Sequence, residues 1–218
     1  MTTIALFRNF DLKKLVLSKW FWAIFSLVMF GLPIYKSINR TLPPELPKQF
    51  QISDFTLQAE NGSNFQWSSL RGRFVLVNFQ FTRCTTICKE LMLKTQEIQK
   101  RVRGLGDKVA IITITVDPEF DTSRVLSEYA LGLKANPLIW RFLTGSKPDV
   151  EKVVRQHFKS PMDQGDANAS IYDIAHSGSF YLVDDEGWLR STYSTKKNDL
   201  DLMMIDLGLM VNKLYYKK

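Results

Sequence analysis

Hydrophobic and polar positions fall into two regimes along this chain. Residues 20–35 contain no charged side chain, and Lys19 and Lys36 bracket them. An apolar run without amphipathic spacing predicts a membrane-spanning helix, because a core helix would show a polar face. Sixteen residues rise about 24 Å as a helix against a hydrocarbon layer of ~30 Å, so residues 15–18 join the span and Lys19 snorkels. Trp20 and Trp22 at one end and Tyr35 at the other suit the two membrane interfaces. No small-x-small cleavage pattern follows, which favours an uncleaved anchor over a secretory signal peptide. A proline-rich linker, 41–48, comes next.

From residue 50 the pattern alternates between strands and helices. Residues 55–57 and 65–67 flank Asn61-Gly62, a hairpin signal, and Arg71-Gly72-Arg73 leads into an apolar strand, 74–81. A helix is expected from about residue 85 to 103, ended by Gly104 and Gly106. Residues 109–116 form a near-continuous β-branched run, expected to be a strand buried on both faces. Strand, helix, strand in that order implies a right-handed parallel crossover. Asp121, Thr122 or Ser123 can cap a helix to about residue 131, a strand follows at 138–143, and Lys147-Pro148-Asp149 opens a helix ending near Phe158. Residues 160–169 read as a loop, 179–183 and 188–193 as a second hairpin, and 198–215 as an apolar-striped helix.

A central mixed sheet with a parallel crossover first, an antiparallel hairpin last and helices on its faces is α/β, with the layout of a thioredoxin-like domain behind an N-terminal transmembrane helix. The expected division is a tail at 1–19, an anchor at 20–36, a linker at 37–49 and the folded domain at 50–218.

Charge refines the picture. The formal net charge is +7, but the first 40 residues hold six basic and one acidic side chain, leaving +2 for the remainder. That balance excludes an electrostatic footprint for nucleic acid. Arg8, Lys13, Lys14 and Lys19 precede the apolar run, against Lys36 and Arg40 just after it. The positive-inside bias therefore puts the tail in the cytoplasm and the domain across the membrane. With no long Arg- and Ser-rich presequence, a bacterial inner membrane with the domain in the periplasm is expected over a mitochondrial one.

The candidate chemistry centres on Cys84 and Cys88, the only cysteines, at the strand-to-helix turn where α/β folds keep their sites. If Cys84 opens the helix, a four-residue spacing puts both sulfurs on one face, where two thiolates can converge on a soft metal ion such as Cu(I). The same pair can cycle between dithiol and disulfide, or form a structural disulfide, although adjacent helical positions suit that geometry poorly. In a thioredoxin-like layout the loop before the strand 179–183 faces the cysteine turn, so His176 can supply a third donor. His157, near a helix C-terminus, is expected to be structural. Met92, Met203, Met204 and Met210 lie on apolar helical stripes and fill the core, while Met162 falls in the 160–169 loop. Asp117 and Asp121 flank Pro118 at the carboxyl end of a central strand and are auxiliary candidates: each can give an oxygen to oxidised copper, meet a partner or form turn and cap. Arg83 can stabilise the neighbouring thiolate or simply be solvated.

Three stretches, Phe81-Thr82-x-Cys84-x-x-x-Cys88, then Thr115-Val116-Asp117-Pro118-Glu119-x-Asp121-Thr122, then His176 ahead of Leu182-Val183-Asp184, resemble the Sco/SenC family of copper chaperones from about Phe50 to the C-terminus. The resemblance implies a membrane-tethered domain that binds one copper ion, as Cu(I), Cu(II) or both, through Cys84, Cys88 and His176. It also implies use in building the dinuclear copper centre of cytochrome c oxidase, with the copper-bearing oxidase subunit, a copper donor and a thiol reductant as partners. Prolines usually follow one or both cysteines in that family, and here Thr85 and Lys89 stand instead.

Two classes of function follow. A metallochaperone passes copper on by ligand exchange and performs no net chemistry of its own. A thiol-disulfide oxidoreductase would use Cys84 and Cys88 as its redox pair to reduce a partner's cysteines. Such enzymes favour a two-residue spacer and a proline facing the cysteines; here the spacer is three and residues 171–179 contain no proline. A peroxidase of the peroxiredoxin kind, with Thr82 and Arg83 serving the cysteine, and an anchored interaction domain are more distant readings.

Overall fold

The computed structural model describes residues 18–38, 43–84, 87–158 and 178–213. Two compact units divide the chain, Met1–Pro43 and Pro44–Lys218.

In the first unit, α-helical Lys19–Ser26, a π-helical turn at Leu27–Gly31 and α-helical Leu32–Ile38 run on without a break and together form α1. Pro33 lacks an N–H and its ring crowds the carbonyl four residues back, which accounts for the widened turn just before it. Lys19–Ser37 is long and apolar enough to cross a membrane, and none of it is buried.

In the second unit, a single sheet among the described residues has the order β1-β8-β7-β4-β5-β6-β2-β3. Its strands are β1 (Phe50–Gln51), β2 (Thr56–Ala59), β3 (Asn64–Gln66), β4 (Phe74–Gln80), β5 (Val109–Thr115), β6 (Trp140–Thr144), β7 (Ser179–Val183) and β8 (Trp188–Ser194). Strands β4, β5 and β6 are parallel, with Phe74 opposite Val109 and Ile111 opposite Trp140. β7 runs antiparallel to β4, with Asn78 opposite Phe180. The sheet is thus mixed, with the parallel crossover and late hairpin that the apolar pattern predicts.

Every residue of β4 and β5 is buried, because layers cover both faces. On one face Leu76, Ile111 and Phe142 pack with Leu91 and Ile98 of α2 (Ile87–Val102), Leu126 of α3 (Ser123–Gly132) and Met203 and Leu207 of α5 (Lys197–Val211). On the other, Val75, Val77 and Ile112 pack with Leu57 and Trp67 and with Val150 of α4 (Lys147–Lys152), which continues as a π-helical turn through Val153–His157. Some of the buried polar groups are paired, Trp140 Nε1 donating to Thr113 Oγ1 (2.8 Å) and Thr95 Oγ1 to the Leu91 carbonyl (2.7 Å), whereas Asn78 Oδ1, Gln80 Nε2 and Thr144 Oγ1 have no partner among the described residues.

Boundaries differ from expectation where tertiary contacts decide. Trp67, expected in the hairpin, opens a 3-10 turn because its ring is buried against Phe55 and Phe158. The last helix, expected to residue 215, stops at Val211, where Lys213 adopts φ 53° and donates back to the Met210 carbonyl. Within the expected linker, Glu45 and Leu46 are held by buried Arg190, which also pairs with Asp184 at 2.9 Å. Residues 160–169 lie outside the described residues.

Candidate functional site

Parallel pairing brings the carboxyl ends of β4 and β5 to one edge of the sheet, where Val116 N donates to the Gln80 carbonyl at 2.9 Å. Beyond β4 the chain turns sharply: Cys84 N donates to the Phe81 carbonyl at 3.2 Å, and Cys84 is partly buried. Helix α2 is described from Ile87, so its backbone carries Cys88 in the first turn. Cys84 therefore stands in the turn, where its bond to Phe81 and the anchoring of Thr82 hold it.

That anchoring comes from Asp121. Its side chain is fully buried and accepts from Thr82 N (2.9 Å), Thr82 Oγ1 and Thr115 Oγ1 (2.6 Å). The helix cap at this point is Thr122, whose hydroxyl accepts from Val125 N. Asp121 thus acts as a latch between the cysteine-bearing turn and the end of β5. Position offered one clue to it, the hydroxyls of Thr82 just beyond β4 and of Thr115 at the end of β5, but their meeting on one carboxylate is a tertiary fact.

Asp117, also buried, receives the Arg83 guanidinium through Nε (3.2 Å) and Nη2 (2.5 Å). The same guanidinium lies over the Phe120 ring, 4.3 Å from its centroid. Asp117 and Phe120 thus both hold Arg83, the residue beside Cys84. The backbone of the loop closes on itself as well, with Phe120 N and Asp121 N both donating to the Asp117 carbonyl.

β7 begins at this edge. With Phe180 opposite Asn78, Ser179 enters the sheet level with the end of β4, preceded by Gly178 at φ 57°. His176 and Met162 lie outside the described residues. Among the described residues, no group of three or more His, Cys, Asp or Glu side chains converges as a metal site. His157 packs its ring 5.4 Å from that of Phe55, and burial, then the Lys152 ammonium, hold its pKa below the ordinary 6.5. Met92, Met203 and Met210 are buried and Met204 packs against the same core, as the helical stripes predict.

Comparison with known proteins agrees with this architecture. The SCO1/SenC family model matches residues 44–207. A SCO1 protein homolog of Bacillus subtilis is 31% identical over 153 residues, 70% of this chain and 78% of that protein. The structure of BsSco, a member of the Sco family of cytochrome c oxidase assembly proteins in which a disulfide switch was identified, is 28% identical, with a TM-score of 0.64 over 79% of this chain and 98% of its own. Yeast Sco1 with copper bound is 25% identical, with a TM-score of 0.55 over 74% of this chain and 95% of its own. With strand order, cysteine turn and Asp121 loop all in one continuous match, this chain belongs to the SCO1/SenC family.

Proposed function

We propose that this chain is a membrane-anchored copper metallochaperone that binds one copper ion through Cys84, Cys88 and His176 and helps assemble the dinuclear copper centre of cytochrome c oxidase. The observation that carries the reading is the entry of β7 at Ser179 beside the cysteine turn. Adjacent strands lie ~4.8 Å apart, and the three-residue step from Ser179 back to His176 spans at most roughly 10 Å, so the imidazole is within reach of the turn. Two thiolates and a neutral imidazole form a soft donor set suited to Cu(I) and adequate for Cu(II). Copper is the cargo here, received from a donor and passed to the copper-bearing oxidase subunit once a thiol reductant keeps Cys84 and Cys88 reduced. Asp121 and Asp117 serve this reading as supports of the turn, with their oxygens already engaged by Thr82, Thr115 and Arg83.

Anchoring rests on α1, whose 19 apolar-rich residues Lys19–Ser37 rise ~28 Å, close to the hydrocarbon thickness. The basic residues before it favour a cytoplasmic N-terminus and a domain in the periplasm of a bacterial inner membrane.

Copper titration of the reduced full-length chain tests the proposal. One copper per chain is expected, with binding lost in Cys84→Ser, Cys88→Ser and His176→Ala. Unchanged binding in His176→Ala would overturn the coordination. The disulfide switch described for BsSco favours a second reading, a thiol-disulfide oxidoreductase acting on the partner's cysteines. Rapid reduction of an apo oxidase subunit together with weak copper affinity would put that reading first.

A further inference from the structure

Helix α5 carries apolar side chains on its outward side as well as its inward one. Met203 and Leu207 are buried against the sheet, while Leu202 and Ile205 are 51% and 58% exposed. The outward side of a surface helix is ordinarily polar, so this one is built to meet something other than water alone. Leu131, in α3, and Leu138, before β6, are also bare, at 76% and 79%. One exposed leucine is unremarked, but a group of them around one edge marks a membrane or partner surface.

The end of α2 joins these residues into one edge. Gln96 Nε2 donates to the Leu133 carbonyl (2.8 Å) and Gln99 Nε2 to the Lys134 carbonyl (3.3 Å), which ties α2 to the segment between Leu131 and Leu138. On its other flank Arg101 pairs with Asp201 at 3.7 Å, next to Leu202. Helix α2 then leads through the 3-10 segment Arg103–Lys108 into β5, so this is the amino edge of the parallel strands, opposite the cysteine turn. Exposed Lys100, Arg103, Lys108 and Lys134 make the edge basic, and none of them forms an ion pair among the described residues. Its acids are largely engaged, Asp201 by Arg101, Asp184 by Arg190 and Glu186 by Lys48, which leaves Asp107 and Asp185.

The segment leading from α1 reaches the same edge. Arg190 grips Glu45 and the Leu46 carbonyl beside Asp184, which follows Val183, set opposite Val75 near the start of β4. The seven residue steps from Ile38 to Glu45 span at most about 25 Å, so an anchored domain keeps this edge near lipid headgroups at high effective concentration.

We infer that in the anchored chain this amino edge rests on an anionic phospholipid bilayer, with Leu131, Leu138, Leu202 and Ile205 entering the headgroup layer and the free bases meeting lipid phosphates. A second copy of the chain would set these bases against one another, and like charges repel across such a contact. The inference rests on the anchored reading and adds an orientation to it. The cysteine turn, at the far end of β4 and β5, is held roughly 20 Å from the lipid and faces outward.

The full-length chain, carrying Cys84→Ser and Cys88→Ser so that one added cysteine takes a nitroxide label, tests this in phosphatidylcholine vesicles with about a quarter phosphatidylglycerol. Labels at Ile205→Cys and Leu138→Cys are expected to show an oxygen-to-nickel accessibility ratio at least about twofold above that at Glu119→Cys, beside the cysteine turn. Lys100→Glu, Arg103→Glu and Lys108→Glu together, with the fold checked by the thermal transition, are expected to return both labels to the aqueous ratio, as is salt of about 0.5 M. Labels at Ile205→Cys and Leu138→Cys as aqueous as the one at Glu119→Cys would overturn the inference, and so would ratios that the charge variant leaves unchanged. Spin–spin broadening at Ile205→Cys that persists in neutral lipid would assign the face to a second copy and also overturn it. Alkaline extraction of the same vesicles reads the anchor separately: a chain that leaves the lipid overturns the anchored reading and the inference with it, whereas one that stays but shows aqueous labels overturns the inference alone.

Discussion

Replacing Asp121 by alanine removes the acceptor that holds the cysteine-bearing turn to the end of β5. Three donors lose their partner at once: Thr82 N, Thr82 Oγ1 and Thr115 Oγ1. A hydrogen bond to a carboxylate contributes about 1.5–3 kcal/mol, and a buried donor left unsatisfied costs about 1–3 kcal/mol. The hydroxyls can rotate toward other acceptors, whereas the Thr82 N–H is fixed by the backbone, so the three do not add in full. A net loss of ~3–5 kcal/mol follows, a large share of the ~5–15 kcal/mol that holds a domain together. For a domain of this size each kcal/mol moves the melting temperature by about 2–4 °C, so metal-free Asp121→Ala is expected to melt roughly 10 °C below wild type. Asp121→Asn keeps the shape and one acceptor oxygen and is expected to lose about half as much. Circular dichroism melts of the full-length chain in detergent check both. The turn, no longer anchored, must then be ordered by the metal itself, and copper affinity is expected to fall about tenfold. A shift under ~2 °C in Asp121→Ala with unaltered copper affinity would refute the latch.

Arg83→Met leaves the buried Asp117 carboxylate without its guanidinium and is expected to cost ~1–2 kcal/mol in a denaturant titration. A double-mutant cycle with Asp117→Asn should return most of that as coupling, and additive losses would exclude a working pair. Arg190→Met strands Asp184 and releases Glu45 and Leu46, so a loss of ~3–5 kcal/mol is expected, together with faster hydrogen exchange at residues 45–49; unchanged exchange there would show that the clamp is idle. Because the His157 pKa is lowered in the fold, the unfolded chain binds the proton more readily: its contribution to stability is full above pH 6.5 and is lost as pH falls below that value. His157→Phe should flatten that part of the stability profile relative to wild type in melts from about pH 7.5 to about pH 5, and parallel profiles would contradict the sign.

Much of the scaffold was legible in local pattern. The runs that became β4 and β5 are apolar at successive positions, which only a strand covered on both faces tolerates, and their order around α2 required a parallel pair. The charge-free stretch of α1, the Asn61-Gly62 turn and the helix start at Lys147-Pro148-Asp149 were equally local, since each depends on the residue's own backbone or solvation preference. Composition also determined which atoms were available, two thiols and two imidazoles beside seven thioethers, and therefore which metals were plausible.

Through-space pairing decided the rest. Asp121, Thr122 and Ser123 were all candidate caps by position; Thr122 is the cap, and the Asp121 carboxylate reaches a turn 39 residues earlier. Arg83, beside Cys84, could by position serve the thiolate or be solvated, and its contacts to Asp117 and Phe120 came only with the fold. Nothing along the chain announced that Arg190 would seize the segment at Glu45. Local propensity sets the backbone of each segment from its neighbours in sequence, whereas the partner of a single polar side chain depends on which strands lie side by side, and that is known only once the sheet has closed its order.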